Sequence, residues 1–192
     1  HNYLGVESID GVYWTLFIEM KFYIFIIGSF LILNKFKSIK LDYLIYTWLT
    51  LSVLYLYFSE LPIFRIGKSL FILDWSSYFI AGMILYQIYK GKLNIKYALL
   101  LSIALFTSIQ HTITETAKKA NHFNIEFSPL IACGIIVLFY LLILLVACGK
   151  LKSINSSKFI KIGMLTYPLY LIHQKIGYII FDNLGNDTNK YV

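Results

Sequence analysis

A chain of 192 residues with 58% hydrophobic and only 14% charged side chains lies far from the roughly 25% charged composition of soluble domains, and this excludes an ordinary soluble fold. The net charge of +7 comes from 17 Lys and Arg against 10 Asp and Glu, and the basic residues sit mostly in short loops between apolar runs. That placement is a topology signal, and it argues against a nucleic-acid surface.

A hydrocarbon core of about 30 Å takes roughly 20 apolar residues as helix, because lipid cannot satisfy open backbone groups. In chain order, six runs meet or approach that length: Val12 to Leu33, Leu41 to Phe58, Leu70 to Tyr89, Lys96 to Ile113, Pro129 to Cys148 and Ile160 to Phe181. The expected fold is all-α, a polytopic transmembrane bundle of about six helices forming a single membrane domain over residues 1–192. The fourth run is the weakest. Only Tyr97 to Ile109 is firmly apolar, which suits a tilted, short or re-entrant segment. Residues 110–128 read as a solvated external loop, with a substrate-covering loop as the alternative. The basic-rich loops 34–40, 90–96 and 149–161 alternate with poorer ones, which places them in the cytoplasm and both chain ends outside. Cys133 and Cys148 lie near opposite ends of one run, more than about 20 Å apart in a helix, so they do not pair. No Cys/His metal spacing occurs, and the start at His1 without a leader suggests an internal piece of a longer protein.

An ionisable group inside a membrane costs roughly 2.5 to 3.5 kcal/mol by insertion scales, so each one calls for an explanation. Glu19 lies about 10 Å below the outer boundary, counting from Val12. Thr15 and Tyr23, one turn to either side, share its face, whereas Lys21 points elsewhere. In the last run Thr166, Tyr170, His173 and Gly177 follow helical spacing, and Pro168 kinks the helix and frees a carbonyl near Met164. His173 lies about 12 Å from the outer boundary, close to the depth of Glu19. Two explanations stand side by side: Glu19 pairs with Lys175 to hold two helices together, or Glu19 and His173 share a polar site. Trp14 reads first as interfacial belt, and Asp74, Ser76 and Ser77 read as polar residues tolerated near a helix end.

The stretch Asp10-Gly-Val-Tyr-Trp-Thr-Leu-Phe-Ile-Glu-Met-Lys-Phe-Tyr, ending at Tyr23, resembles the D-G-x-x-W-S/T-L-x-x-E-x-x-F-Y signature of the membrane acyltransferase 3 family. The run Ile162-Gly-Met-Leu-Thr-Tyr-Pro-Leu-Tyr-Leu-Ile-His-Gln is similar to its later G-x-x-S-Y-P-L-Y-L-x-H signature, with Thr166 in place of the commoner Ser. Ser77-Tyr-Phe-Ile-Ala-Gly-Met-Ile-Leu-Tyr is similar to its F-x-x-G-x-x-L-y helix, and the three matches occur in the family's order. The resemblance implies a bundle of about ten membrane helices in the inner (plasma) membrane. It implies transfer of an acyl group, often acetyl, from acyl-CoA to a hydroxyl of a cell-surface or lipid-linked saccharide, as in bacterial lipopolysaccharide or exopolysaccharide modification.

The partners implied are membrane lipids, acyl-CoA as co-substrate and a saccharide acceptor, with no bound cofactor, no metal and no nucleic acid. Family members begin with a helix carrying an Arg and a His, followed by Arg-x-x-Arg, and nothing here matches either. The base histidine would then lie upstream, and this stretch alone is expected to be inactive. In that setting Glu19 and His173 are the expected catalytic residues, and Trp14, Thr15, Tyr23, Tyr167 and Tyr170 the expected substrate contacts. The rival class is a transporter or flippase component whose intramembrane Glu and His line a solute path.

Overall fold

The computed structural model describes residues 13–35, 41–91, 93–124, 126–151, 164, 168–170 and 176. The chain divides into two compact units, His1–Met20 with Ser153–Val192, and Lys21–Lys152. In the first unit the described residues are the opening turns of α1 and a few positions beyond 163, among them Pro168–Tyr170.

The second unit is all-helical among the described residues. It holds the remainder of α1 (Tyr13–Lys35), then α2 (Leu41–Phe58), α3 (Pro62–Leu70), α4 (Ser76–Tyr89), α5 (Ile95–Phe123) and α6 (Pro129–Ala147). Local chemistry accounts for several of the boundaries. Pro at the first helical position opens α3 and α6, where its missing N–H costs nothing. The Asn94 side chain caps α5 by accepting from the Tyr97 N–H at 3.1 Å. Asn124, in the left-handed region at φ 56°, closes the same helix.

Two expectations are corrected. The run Leu70 to Tyr89 is not one helix: α3 ends at Leu70, residues 71–75 form a turn, and α4 begins only at Ser76. Ile72 sits in the turn at φ 52°, a region β-branched residues avoid, and its 4% exposure shows that the surrounding core holds it there. The turn's polar groups are paired: the Trp48 indole N–H donates to the Phe71 carbonyl at 2.8 Å, and Ser76 Oγ donates to the Leu73 carbonyl at 2.9 Å. Most of the stretch 110–128 is likewise not a loop, because α5 continues to Phe123 as one helix of 29 residues, neither short nor re-entrant, and only the few residues between it and α6 connect the two. In its polar half the hydroxyls of Thr112, Thr114 and Thr116 find acceptors in the carbonyls one turn back, and the Glu115–Lys118 ion pair at 2.8 Å supports the helix.

Among the described residues three helices are long and apolar enough to cross a membrane: α2, Ile95–His122 of α5, and α6. In α6 only 6% of the apolar window is buried within the structure, an outward face of Leu, Ile and Phe that suits lipid and not water. The expected sixth run, Ile160 to Phe181, lies largely outside the described residues.

Helix α4 is the hub of the second unit. Ile80 and Ile84 are 0% exposed and join one core with Ile45 and Trp48 of α2, Ala104 of α5 and Tyr140 of α6. Phe22 of α1 stacks on Phe79 of α4 with ring centroids 4.1 Å apart, and Phe25 lies 4.6 Å from Trp48. Helices α2 and α5 run parallel, since their first turns meet. Lys96 Nζ pairs with Asp42 Oδ2 at 2.6 Å, and the Tyr97 hydroxyl donates to Asp42 Oδ1 at 2.9 Å. The ion pair is partly solvated, so Asp42→Asn in the full-length protein is expected to lower stability by no more than about 1 kcal/mol, read as a small fall in the detergent unfolding midpoint.

Candidate functional site

At the opposite end of α2 and α5 from the Asp42 cluster, polar side chains collect around a cavity of about 120 Å³. The break at 71–75 makes this possible. By ending α3 and restarting the chain at Ser76, it brings Asp74 beneath the last turns of α2, where the Tyr55 hydroxyl donates to Asp74 Oδ1 at 2.9 Å. Lys68 reaches Asp74 Oδ2 at 3.1 Å. Partial burial alone lowers the Lys68 pKa, but the hydrogen bond and charge of Asp74 outweigh it and hold the ammonium above the usual lysine value. Deeper in, the Ser76 and Ser52 hydroxyls share a hydrogen bond at 2.9 Å, tying α4 to α2.

The other wall is α5. Thr107, His111, Glu115 and Lys118 recur at helical spacing and all line the cavity. Glu115 is paired with Lys118. The His111 ring meets Trp75 edge-on, centroids 5.1 Å apart, and lies 6.3 Å from Tyr78, whose hydroxyl shares a hydrogen bond with Thr112 at 3.0 Å. His111 Nε2 is closed off from solvent and has no hydrogen-bond partner. A larger groove of about 460 Å³ between α4 and α6 is lined by aliphatic and aromatic side chains, with tyrosines as its only titratable groups. Of the two, the smaller cavity is the one whose wall offers several polar groups at once.

The sequence-predicted residues fall as follows. Glu19 lies on α1 in the first unit with an exposed side chain, and Tyr170 of the same unit is exposed. Tyr23 is exposed on α1 in the second unit and does not line the cavity. Helix α1 is unbroken from Tyr13 to Lys35, so Thr15, Glu19 and Tyr23 do stand one turn apart. The side chains of Trp14 and Thr15, and residues Tyr167 and His173, lie outside what the structure describes. Asp74, expected to be structural, does hold Tyr55 and Lys68, and it also lines the cavity. His111 was hidden inside the stretch read as a loop. The Thr107, His111, Glu115 spacing was the signal that marks it as part of a helix face.

No group of three His, Cys, Asp or Glu side chains among the described residues stands close enough to hold a metal ion. A family model described as an acyltransferase domain matches residues 1–189. No curated protein and no solved structure matches the chain.

Proposed function

The chain belongs to the acyltransferase 3 family, and on that footing we propose that it is part of a multi-pass O-acyltransferase of the inner (plasma) membrane. The acyl group, acetyl in this reading, comes from acyl-CoA and goes to a hydroxyl of a cell-surface or lipid-linked saccharide. The match over residues 1–189 is the observation that carries the reading. It is supported by a helix, α1, that carries a carboxylate, Glu19, in a run that is mainly apolar apart from Lys21 and its polar last turn.

The reaction sets the roles. The saccharide O–H loses its proton to a base as its oxygen attacks the thioester carbonyl, the C–S bond breaks, and CoA leaves as the thiol. We assign Glu19 to orienting the base or holding the acceptor hydroxyl, and His173 and Tyr170 to donating toward the carbonyl oxygen. Trp14 and Tyr167 offer ring faces for the sugar, and Thr15 and Tyr23 hydrogen-bond along the Glu19 stripe. Deleting the full gene is expected to remove one class of base-labile ester from the surface glycans, seen by mass spectrometry as the loss of a 42-dalton increment, about the mass of one acetyl group. Unchanged acyl content in the deletion strain would reject the proposal.

A further inference from the structure

We propose that α4 carries a lipid site: a diacyl phospholipid of the cytoplasmic leaflet lays one chain on each side of the Tyr78, Gly82, Tyr86 stripe, with its anionic headgroup at Lys90 and Lys150. The inference takes the membrane placement from the reading above and nothing of its chemistry, and every residue it uses belongs to the second unit.

The first argument is a pair of grooves sharing one ridge. Besides the groove of about 460 Å³ between α4 and α6, a second of about 320 Å³ lies on the other flank of α4, against Phe22 of α1 and Leu41 of α2. Tyr78, Gly82 and Tyr86 line both, and helical spacing sets them one turn apart on a single stripe. A Cβ at Gly82 would meet nothing within 4 Å, so the glycine keeps the ridge between the grooves low. Two apolar troughs on either side of a low ridge suit a molecule with two chains. The hydroxyls of Tyr78 and Tyr140 are taken up inside the protein, by Thr112 at 3.0 Å and Ser108 at 2.7 Å, so the depth of the larger groove calls for no polar ligand group.

The second argument is depth. Helices α4 and α6 each pack on α5 and are joined to it by short connections, so they run parallel to one another, and both end at the basic-rich loops that the charge rule places in the cytoplasm. From Tyr89 back to Tyr78 the larger groove follows α4 for about 16 Å, half of a hydrocarbon core of about 30 Å and so the depth of one leaflet. Its α6 wall belongs to the helix whose apolar window is only 6% buried, so the groove opens to lipid.

The third argument is charge at the mouth. Lys90 follows directly on Tyr89, and its Nζ stands 5.2 Å from the centre of the Tyr86 ring. Lys150 follows the end of α6, three residues beyond Ala147 of the groove wall. Both are exposed, and neither has a carboxylate partner among the described residues. They are not needed to cap the helices with their side chains, because backbone N–H groups already bond the last-turn carbonyls: Lys90 to Tyr86, Gly149 to Val146 and Lys150 to Leu145. Two ammonium groups at the headgroup level beside paired apolar troughs select a lipid with a net negative headgroup.

The test is native mass spectrometry of the full-length protein in detergent, titrated with dioleoyl phosphatidylglycerol and dioleoyl phosphatidylcholine. Wild-type protein is expected to retain phosphatidylglycerol with at least a fivefold preference. The double variant Lys90→Gln, Lys150→Gln is expected to lose that preference while still binding both lipids. Gly82→Leu, which fills the ridge, is expected to weaken both lipids at least tenfold, and the exposed lysine pair remains as the reading should the leucine variant fold poorly. Equal retention of the two lipids by wild-type protein overturns the site. So does a preference unchanged by the lysine variant, or an affinity unchanged by a folded Gly82→Leu. A wild-type protein that retains neither lipid also overturns it, and means that protein, not lipid, covers the grooves. Lipid retention is read without acyl-CoA or saccharide, so its failure and a failure of the acyl-transfer reading are separable.

Discussion

Glu19→Gln in the full-length protein is expected to reduce acyl transfer by at least about 100-fold, the lower range for losing a positioned acid or base, while leaving its abundance in the membrane unchanged. The amide keeps the shape of the side chain and the helix propensity of α1, and it removes only the charge and the proton-accepting oxygen. Holding that charge in an apolar segment costs energy, so a carboxylate with no task is one the helix gains by losing. The measurement is incorporation of labelled acetyl into saccharide, normalised to membrane protein. Full activity in Glu19→Gln would remove Glu19 from the site, and a fall in abundance in proportion to activity would mark it as structural.

Trp48→Ala is expected to cost about 3 to 5 kcal/mol, the range for deleting a large buried aromatic side chain. Trp48 is 1% exposed and lies between Phe22, Phe25 and Phe79, so nothing nearby can close over the space it leaves without dismantling that stack. Its indole N–H also holds the carbonyl of Phe71, at the start of the turn that carries Asp74 to the cavity. Trp48→Phe separates the two contributions. It keeps most of the packing, loses the donor and is expected to cost about 1 to 3 kcal/mol. Thermal unfolding of the full-length protein in detergent reads both, and an Ala variant no less stable than the Phe variant would contradict the packing account.

What was legible in the sequence follows from what hydropathy encodes. Helix α2 runs from Leu41 to Phe58 as expected, and α6 ends at Ala147, one residue short of the expected Cys148, because both are predominantly apolar runs between polar flanks. The break at 71–75 was illegible for the same reason: Phe71, Ile72 and Leu73 read as more membrane helix, and the left-handed residue is an isoleucine, not the Gly or Asn that signals a turn. The turn is fixed by tertiary contacts, chiefly Trp48 to the Phe71 carbonyl and the burial of Ile72. The second half of α5 failed in the opposite direction. Its threonines and charges look like a loop by composition, yet each hydroxyl bonds within the helix.

The candidate site divides along the same line. Glu19 stands out in sequence because a carboxylate in an apolar run is costly wherever it points. His111 and Asp74 acquire meaning only when α5 and the 71–75 turn are brought together, which no local pattern states. A motif therefore indicated the family, whereas the second unit's polar cavity is a product of its fold.

The central claim is acyl transfer to a saccharide hydroxyl, and reconstitution tests it most directly. Full-length protein in liposomes, given acetyl-CoA labelled in the acetyl group and a surface-glycan acceptor, is expected to yield labelled ester on the saccharide, released by mild base, with one CoA thiol freed per ester formed. Movement of the glycan or another solute across the bilayer with no ester and no thiol released would contradict it.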